Sequence, residues 1–261
     1  MPQGRSMIER AMPHDRLIAG IGLGSVTILS WVYLLAGAGM ETSAMSDTLR
    51  GVNIPGMPMD WSTGLVALIF VMWWVMMVAM MLPSAAPMVL LYASATRKSG
   101  NSWSTFLFAS GYLLVWGGFS AVATFAQWEL TRLGLLDGMR VNSLPLSGVL
   151  LLTAGVYQLT PAKAACLRHC RSPVQFLTRF WQPGATGALL MGMRHGVFCL
   201  GCCWALMALL FVGGVMSLAW IGALAAYVMV EKLAPPWRCL KGATASLLLA
   251  AGLVLLAIAL T

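Results

Sequence analysis

TGLVALIFVMWWVMMVAMMLPSAAPMVLLY, Thr63 to Tyr92, contains no charged residue. Wound as a helix at about 1.5 Å per residue, it is longer than the ~30 Å hydrocarbon layer of a bilayer. Such a run is predicted to cross a membrane. Lipid offers no partner for backbone polar groups, so the crossing segment is a helix.

Similar apolar runs recur on both sides of it. With short polar stretches as boundaries, seven spans are expected: Leu17 to Met40, Thr63 to Tyr92, Thr105 to Trp128, Leu144 to Thr160, Ala185 to Phe211, Val215 to Val230, and Ala243 to Leu260. The 261 residues are 59% hydrophobic and only 9% charged, and their mean hydropathy is +0.82. That composition leaves too little polar surface for a soluble domain of this size. The predicted fold is an all-α polytopic membrane bundle forming one integral membrane domain, 1–261. The first span follows Arg5, Arg10 and Arg16, as a signal peptide would, but its apolar run is longer than an h-region and no small-residue cleavage site follows. It reads as a retained helix.

The net charge of +8 becomes informative once it is distributed over the loops. With the N-terminus inside, twelve basic residues face the cytoplasm: Arg5, Arg10, Arg16, Arg97, Lys98, Lys163, Arg168, Arg171, Arg179, Lys232, Arg238 and Lys241. Three, Arg50, Arg132 and Arg140, face outside, and Arg194 falls in or near a span. This bias predicts an N-in, C-out protein of a bacterial inner membrane. It also removes nucleic acid as a partner, because no soluble basic face exists. The outer loop Glu41 to Ser62 suggests a short interfacial segment with Trp61 at the boundary. The cytoplasmic stretch Ala162 to Gly184, amphipathic around PVQFLTRFW, is expected on the membrane surface.

The fifth span contains MGMRHGVFCLGCCWALM, Met191 to Met207. His195, Cys199, Cys202 and Cys203 share one helix face, with Met191 a turn before and Met207 a turn after. Buried cysteine can be an inert small hydrophobe. Three within five residues, one turn from a histidine at membrane depth, point instead to a metal site. Thiolate, imidazole and thioether select Cu(I), and thiolates also suit zinc and mercury. Gly192, Gly196 and Gly201 beside them allow a neighbouring helix to come close.

In the second span, Met72, Met76 and Met80 form one stripe and Met77 and Met81 another. Methionine also fills apolar gaps, so the stripes alone decide nothing. Pro83 and Pro87 are expected to break or kink this helix. Met80 lies about 25 Å along its helix from Thr63, and Cys199 about 21 Å along its own from Ala185. The two groups meet if those helices pack together. A third cluster, YQLTPAKAACLRHCRSP, places Cys166 and Cys170 one turn apart with His169 adjacent. This pair could serve as a cytoplasmic transfer site or as a redox dithiol. His14 is expected in solvent, and Cys239 is taken as incidental.

The three motifs MMVAMMLPSAAPM, YQLTPAKAACLRHCRSP and RHGVFCLGCCWALM, with a span ending in Glu231-Lys232, resemble a bacterial family of metal-binding integral membrane proteins, some labelled copper chaperones. The resemblance covers Trp61 to Lys232. The metal binding it implies is carried by the matching positions only: Met80, Met81, Pro83 and Pro87; Thr160, Pro161, Lys163, Cys166 and Cys170; and His195, Gly196, Cys199, Cys202 and Cys203. The pair Met77 and Met81 is similar to the methionine motif of copper uptake proteins, and Cys202-Cys203 to the vicinal pair of mercuric-ion transporters. The expected function is Cu(I) relay within or across the membrane. Met76, Met77, Met80 and Met81 would receive the ion, the fifth span would hold it, and Cys166 with Cys170 would hand it over. A metallochaperone or membrane partner, or a second copy of the chain, would complete the route. The alternatives are a membrane thiol oxidoreductase and an accessory subunit with a structural metal. No hydrolytic or nucleotide-binding motif is found.

Overall fold

The computed structural model describes residues 7–37, 61–96, 103–137, 139–233 and 238–260, with the backbone alone at 7–16, 238 and 239. The expected interfacial loop before Trp61, Arg5, Arg97 and Lys98, and the side chains of Arg10, His14, Arg16 and Cys239 lie outside what is described. The helices are α1 (Met7–Leu35), α2 (Thr63–Thr96), α3 (Trp103–Arg132), α4 (Leu144–Leu159), α5 (Pro161–Arg171), α6 (Pro173–Phe180), α7 (Gly184–Ala208), α8 (Leu210–Gly213), α9 (Leu218–Leu233) and α10 (Arg238–Leu260). Between α3 and α4, β1 (Leu136–Asp137) and β2 (Arg140–Val141) form a small antiparallel ladder that pairs Leu136 with Val141.

Five segments are long and apolar enough to cross a membrane: Leu17–Leu35, Thr63–Thr96, Trp103–Arg132, Gly184–Gly213 and Leu240–Leu260. A sixth arises if α4 and α5, bent by 65°, are one broken span. The chain is an all-α integral membrane protein. The other member of the expected seven, α9, has 16 residues, short of the ~20 that a lone bilayer helix needs.

Burial sorts these helices into centre and rim. In α2 and α7 56% of the most apolar window is buried, against 11% in α1 and 17% in α10. The first two form the core, and the last two leave most of their apolar surface exposed. α7 packs closely along α3, α10 along α4, and α1 along α2. The α3–α7 contact is set by glycine. A methyl group on Gly192 would collide with the Phe108 carbonyl oxygen and lie 2.8 Å from its carbonyl carbon, and one on Gly111 would lie 2.9 Å from the Met193 nitrogen. Only residues without a side chain allow the backbones so near.

Two expectations are refined here. Of the expected break or kink at Pro83 and Pro87, no break occurs: α2 is helical from Thr63 through Thr96 with both prolines inside it. Beside them the hydroxyls of Ser84 and Tyr112 donate to the Met81 carbonyl at 2.8 and 3.2 Å. The stretch Ala162 to Gly184, expected as a cytoplasmic loop amphipathic around PVQFLTRFW, is mostly the two helices α5 and α6. Phe176 and Leu177 of α6 are buried against protein, and Phe176 meets the His195 ring edge-on at 5.3 Å.

The bend into α5 follows from Thr160-Pro161. A residue before proline is pushed out of the α region, and Thr160 is extended at φ −67°, ψ 147°. Its hydroxyl then accepts the Lys163 amide at 3.2 Å, restarting the helix in a new direction.

Candidate metal centre

Helix α7 buries His195, Cys199, Cys202 and Cys203, none more than 3% exposed. The Cys202 and Cys203 thiols both donate to the Cys199 carbonyl at 3.0 Å, the i−3 and i−4 bonds open to a short polar side chain within a helix. Around Cys199 the neighbouring helices converge. Tyr112 Oη of α3 is 3.0 Å from its Sγ, and the Lys232 Nζ of α9 donates to that Sγ at 2.9 Å. The same ammonium reaches Ser84 Oγ at 3.2 Å and Met81 Sδ at 3.7 Å, both on α2.

The two spans whose contact decided the sequence reading do meet. Cys203 Sγ of α7 lies 3.9 Å from Met81 Sδ of α2. Met76, Met77 and Met80 are buried in the same core, while the sulfur–sulfur contact is made by Met81. Met207 is buried in that core as well. Met191 is not part of the sulfur group. It packs in a second cluster with Tyr92 and Phe108, and its Sδ accepts the Gln182 amide at 3.3 Å.

Helix α5 adds a thiol from the other side. Cys166 and Cys170 pack against the core that contains Cys199, Cys202 and Cys203, so the pair read as a separate cytoplasmic station adjoins the α7 cysteines. Cys166 is one turn back and beside Gly201, where an added methyl would stand 2.8 Å from its Sγ. His169 is engaged elsewhere: its ring stacks on Phe198 at 4.1 Å, and Nδ1 meets the Ala165 carbonyl at 2.9 Å. Arg194 is exposed and lies over the Phe180 ring at 4.6 Å.

His195 is surrounded by rings, with Tyr112 at 5.7 Å, Phe108 at 6.2 Å and Phe176 beneath. Its Nδ1 is buried without a hydrogen-bond partner. A buried polar nitrogen left in this way costs stability unless something binds it. Among the described residues, no group of three or more His, Cys, Asp or Glu side chains is arranged to hold a metal ion. The thiols of Cys202 and Cys203 donate to a carbonyl of their own helix, so ligation would require them to give up those bonds. The donor set itself, thiols with a thioether and an unpartnered imidazole nitrogen, fits a soft monovalent ion.

A second buried polar network adjoins the first. Lys163 Nζ of α5 pairs with Glu231 Oε2 at 2.8 Å and also donates to Gln158 Oε1. Arg171 donates through Nε to the Glu231 carbonyl at 2.8 Å.

Sequence reasoning missed Tyr112, Ser84 and the inward course of Lys163 and Lys232. Both lysines were counted as loop charges, yet Lys163 is 1% and Lys232 5% exposed. The available signal was the Glu231-Lys232 pair, two opposite charges ending an apolar span.

The PpoB2 family, described as a copper chaperone, matches residues 70–255. No curated protein and no solved structure matches the chain.

Proposed function

The chain belongs to the PpoB2 family, and from that premise we propose that it binds Cu(I) within the membrane and passes it to a partner or between faces. Five long helices, the bent α4–α5 pair and α9 would make seven crossings of a bacterial inner membrane, N-in and C-out. Met81 is the thioether that receives the ion, with Met76, Met77 and Met80 behind it. Cys199, Cys202 and Cys203 hold it, with His195 available through its free nitrogen. Cys170 takes it onward, with Cys166 one turn away. Two- or three-coordinate Cu(I) moves along such a row by exchanging one soft donor for the next, so no step leaves the ion bare.

The observation that carries this reading is the Met81–Cys203 contact at 3.9 Å. It joins the methionine span to the cysteine span at one buried point, which chance packing of two unrelated motifs would not require. Elemental analysis of detergent-purified protein from copper- and zinc-supplemented cells tests it. About one copper per chain is expected, lost in a Cys199/Cys202/Cys203→Ser variant. Metal-free protein with intact thiols would refute the proposal. Unchanged copper content and tolerance in cells carrying Cys199→Ser would refute the relay.

The packing of Cys166 and Cys170 against the core that holds the α7 cysteines also favours a second reading, thiol–disulfide exchange between α5 and α7. Mobility-shift labelling that finds no redox-dependent disulfide would eliminate it.

A further inference from the structure

The Lys232 ammonium enters the sulfur cluster from the last turn of α9, and its partners are a thiol, a thioether and a hydroxyl. The ion pairs among the described residues are Lys163 with Glu231 and Arg132 with Glu129, so no carboxylate answers this charge. Placing an ammonium here costs desolvation that a leucine or methionine of similar volume would avoid. A role for the charge itself is therefore required.

Charge counting supplies one, resting on the copper reading above. Cu(I) held by two thiolates is a monoanion, unfavourable in a low-dielectric interior. With an ammonium beside it the group is neutral. A divalent ion on the same two thiolates is already neutral, and Lys232 would make the group cationic. We infer that Lys232 is the built-in counter-charge of a bis-thiolate Cu(I) state centred on Cys199, biasing the cluster toward a monovalent soft ion over Zn(II). Two Cu–S bonds form on loading, any proton on those thiols leaves to solvent, and the copper stays Cu(I). Lys232 touches the ligand Cys199 and not the ion, so it acts as a positioning and specificity residue.

The test compares purified wild type, Lys232→Met and Lys232→Arg, each titrated with Cu(I) under reductant against a chromophoric chelator, and separately with Zn(II). Lys232→Met should weaken Cu(I) at least about tenfold, the modest end of what a charge a few ångströms away exerts at protein-like dielectric. Zn(II) binding should hold or rise, and Lys232→Arg should keep the preference for Cu(I). A merely structural lysine would lower both metals together, and either that result or an unchanged Cu(I)/Zn(II) ratio overturns the inference while leaving the copper reading intact. Wild-type protein that takes up no Cu(I) overturns both. If Lys232→Met does not accumulate, Lys232→Gln, also long and uncharged, gives the same comparison.

Discussion

Replacing Gly192 by alanine should disturb Cys199 without altering a sulfur. The added methyl would lie 2.8 Å from the Phe108 carbonyl carbon and 3.0 Å from its Cα, where ordinary carbon contacts are ~3.5–4.0 Å. The obstacle is backbone, so no side chain can swing aside, and α3 and α7 must part by about 1 Å. Tyr112 and Cys199 sit across that interface at 3.0 Å. A shift of this size takes them toward ~4 Å, the limit of a useful sulfur hydrogen bond. Overpacking of this kind costs about 1–3 kcal/mol, while alanine returns at most ~1 kcal/mol of helix propensity. The net change is a loss. Gly118→Ala on α3 is the control, because a methyl there meets nothing within 4 Å. Thermal unfolding in detergent, together with maleimide labelling of Cys199, reads both effects. Equal melting and equal labelling for the two variants would refute the claim that glycine contact sets the geometry of the centre.

Three further outcomes follow from the same contacts. Tyr112→Phe removes a hydroxyl bonded to the Met81 carbonyl and facing Cys199, and should cost about 1–2 kcal/mol in unfolding while loosening copper retention. Glu231→Gln leaves buried Lys163 facing a neutral group, a loss of about 3–5 kcal/mol; Lys163→Met on top of it should recover most of that loss in a double-mutant cycle. Gly201→Ala crowds the Cys166 thiol, at 2.8 Å, which can rotate, and meets the Cys166 Cβ at an ordinary 3.6 Å. It should cost under ~1 kcal/mol, and adding Cys166→Ala should abolish the penalty.

What could be read from the sequence divides by the range of the interaction involved. The membrane helices follow from uncharged runs such as Thr63 to Tyr92, because lipid forces each run to close its own hydrogen bonds. The shared face of Cys199, Cys202 and Cys203 follows from the helical period alone. The convergence of Cys170 on that face could not be read, since it depends on a 65° bend whose direction is set by packing. Nor could the inward course of Lys163 and Lys232: a basic residue ending a span has the same local signature whether it reaches water or turns to the core. Of the break or kink expected at Pro83 and Pro87, the break does not occur, because α2 runs on through both prolines.

Consecutive residues on a helix point about 100° apart, so Glu231 and Lys232 necessarily face different neighbours. Helix α5 clamps Glu231 twice, through Lys163 on the carboxylate and Arg171 on the carbonyl. That double hold fixes the rotation of α9 at its end, and thereby aims the next side chain, Lys232, at Cys199 and Met81. The same short helix carries Cys166 and Cys170. The turn at Thr160-Pro161 therefore does two jobs at once: it delivers a thiol from α5 to the α7 cluster, and it delivers the clamp that orients the ammonium. Had α4 continued straight, neither would reach the centre. The organisation of the site thus depends on a bend at a position that contributes no ligand to it.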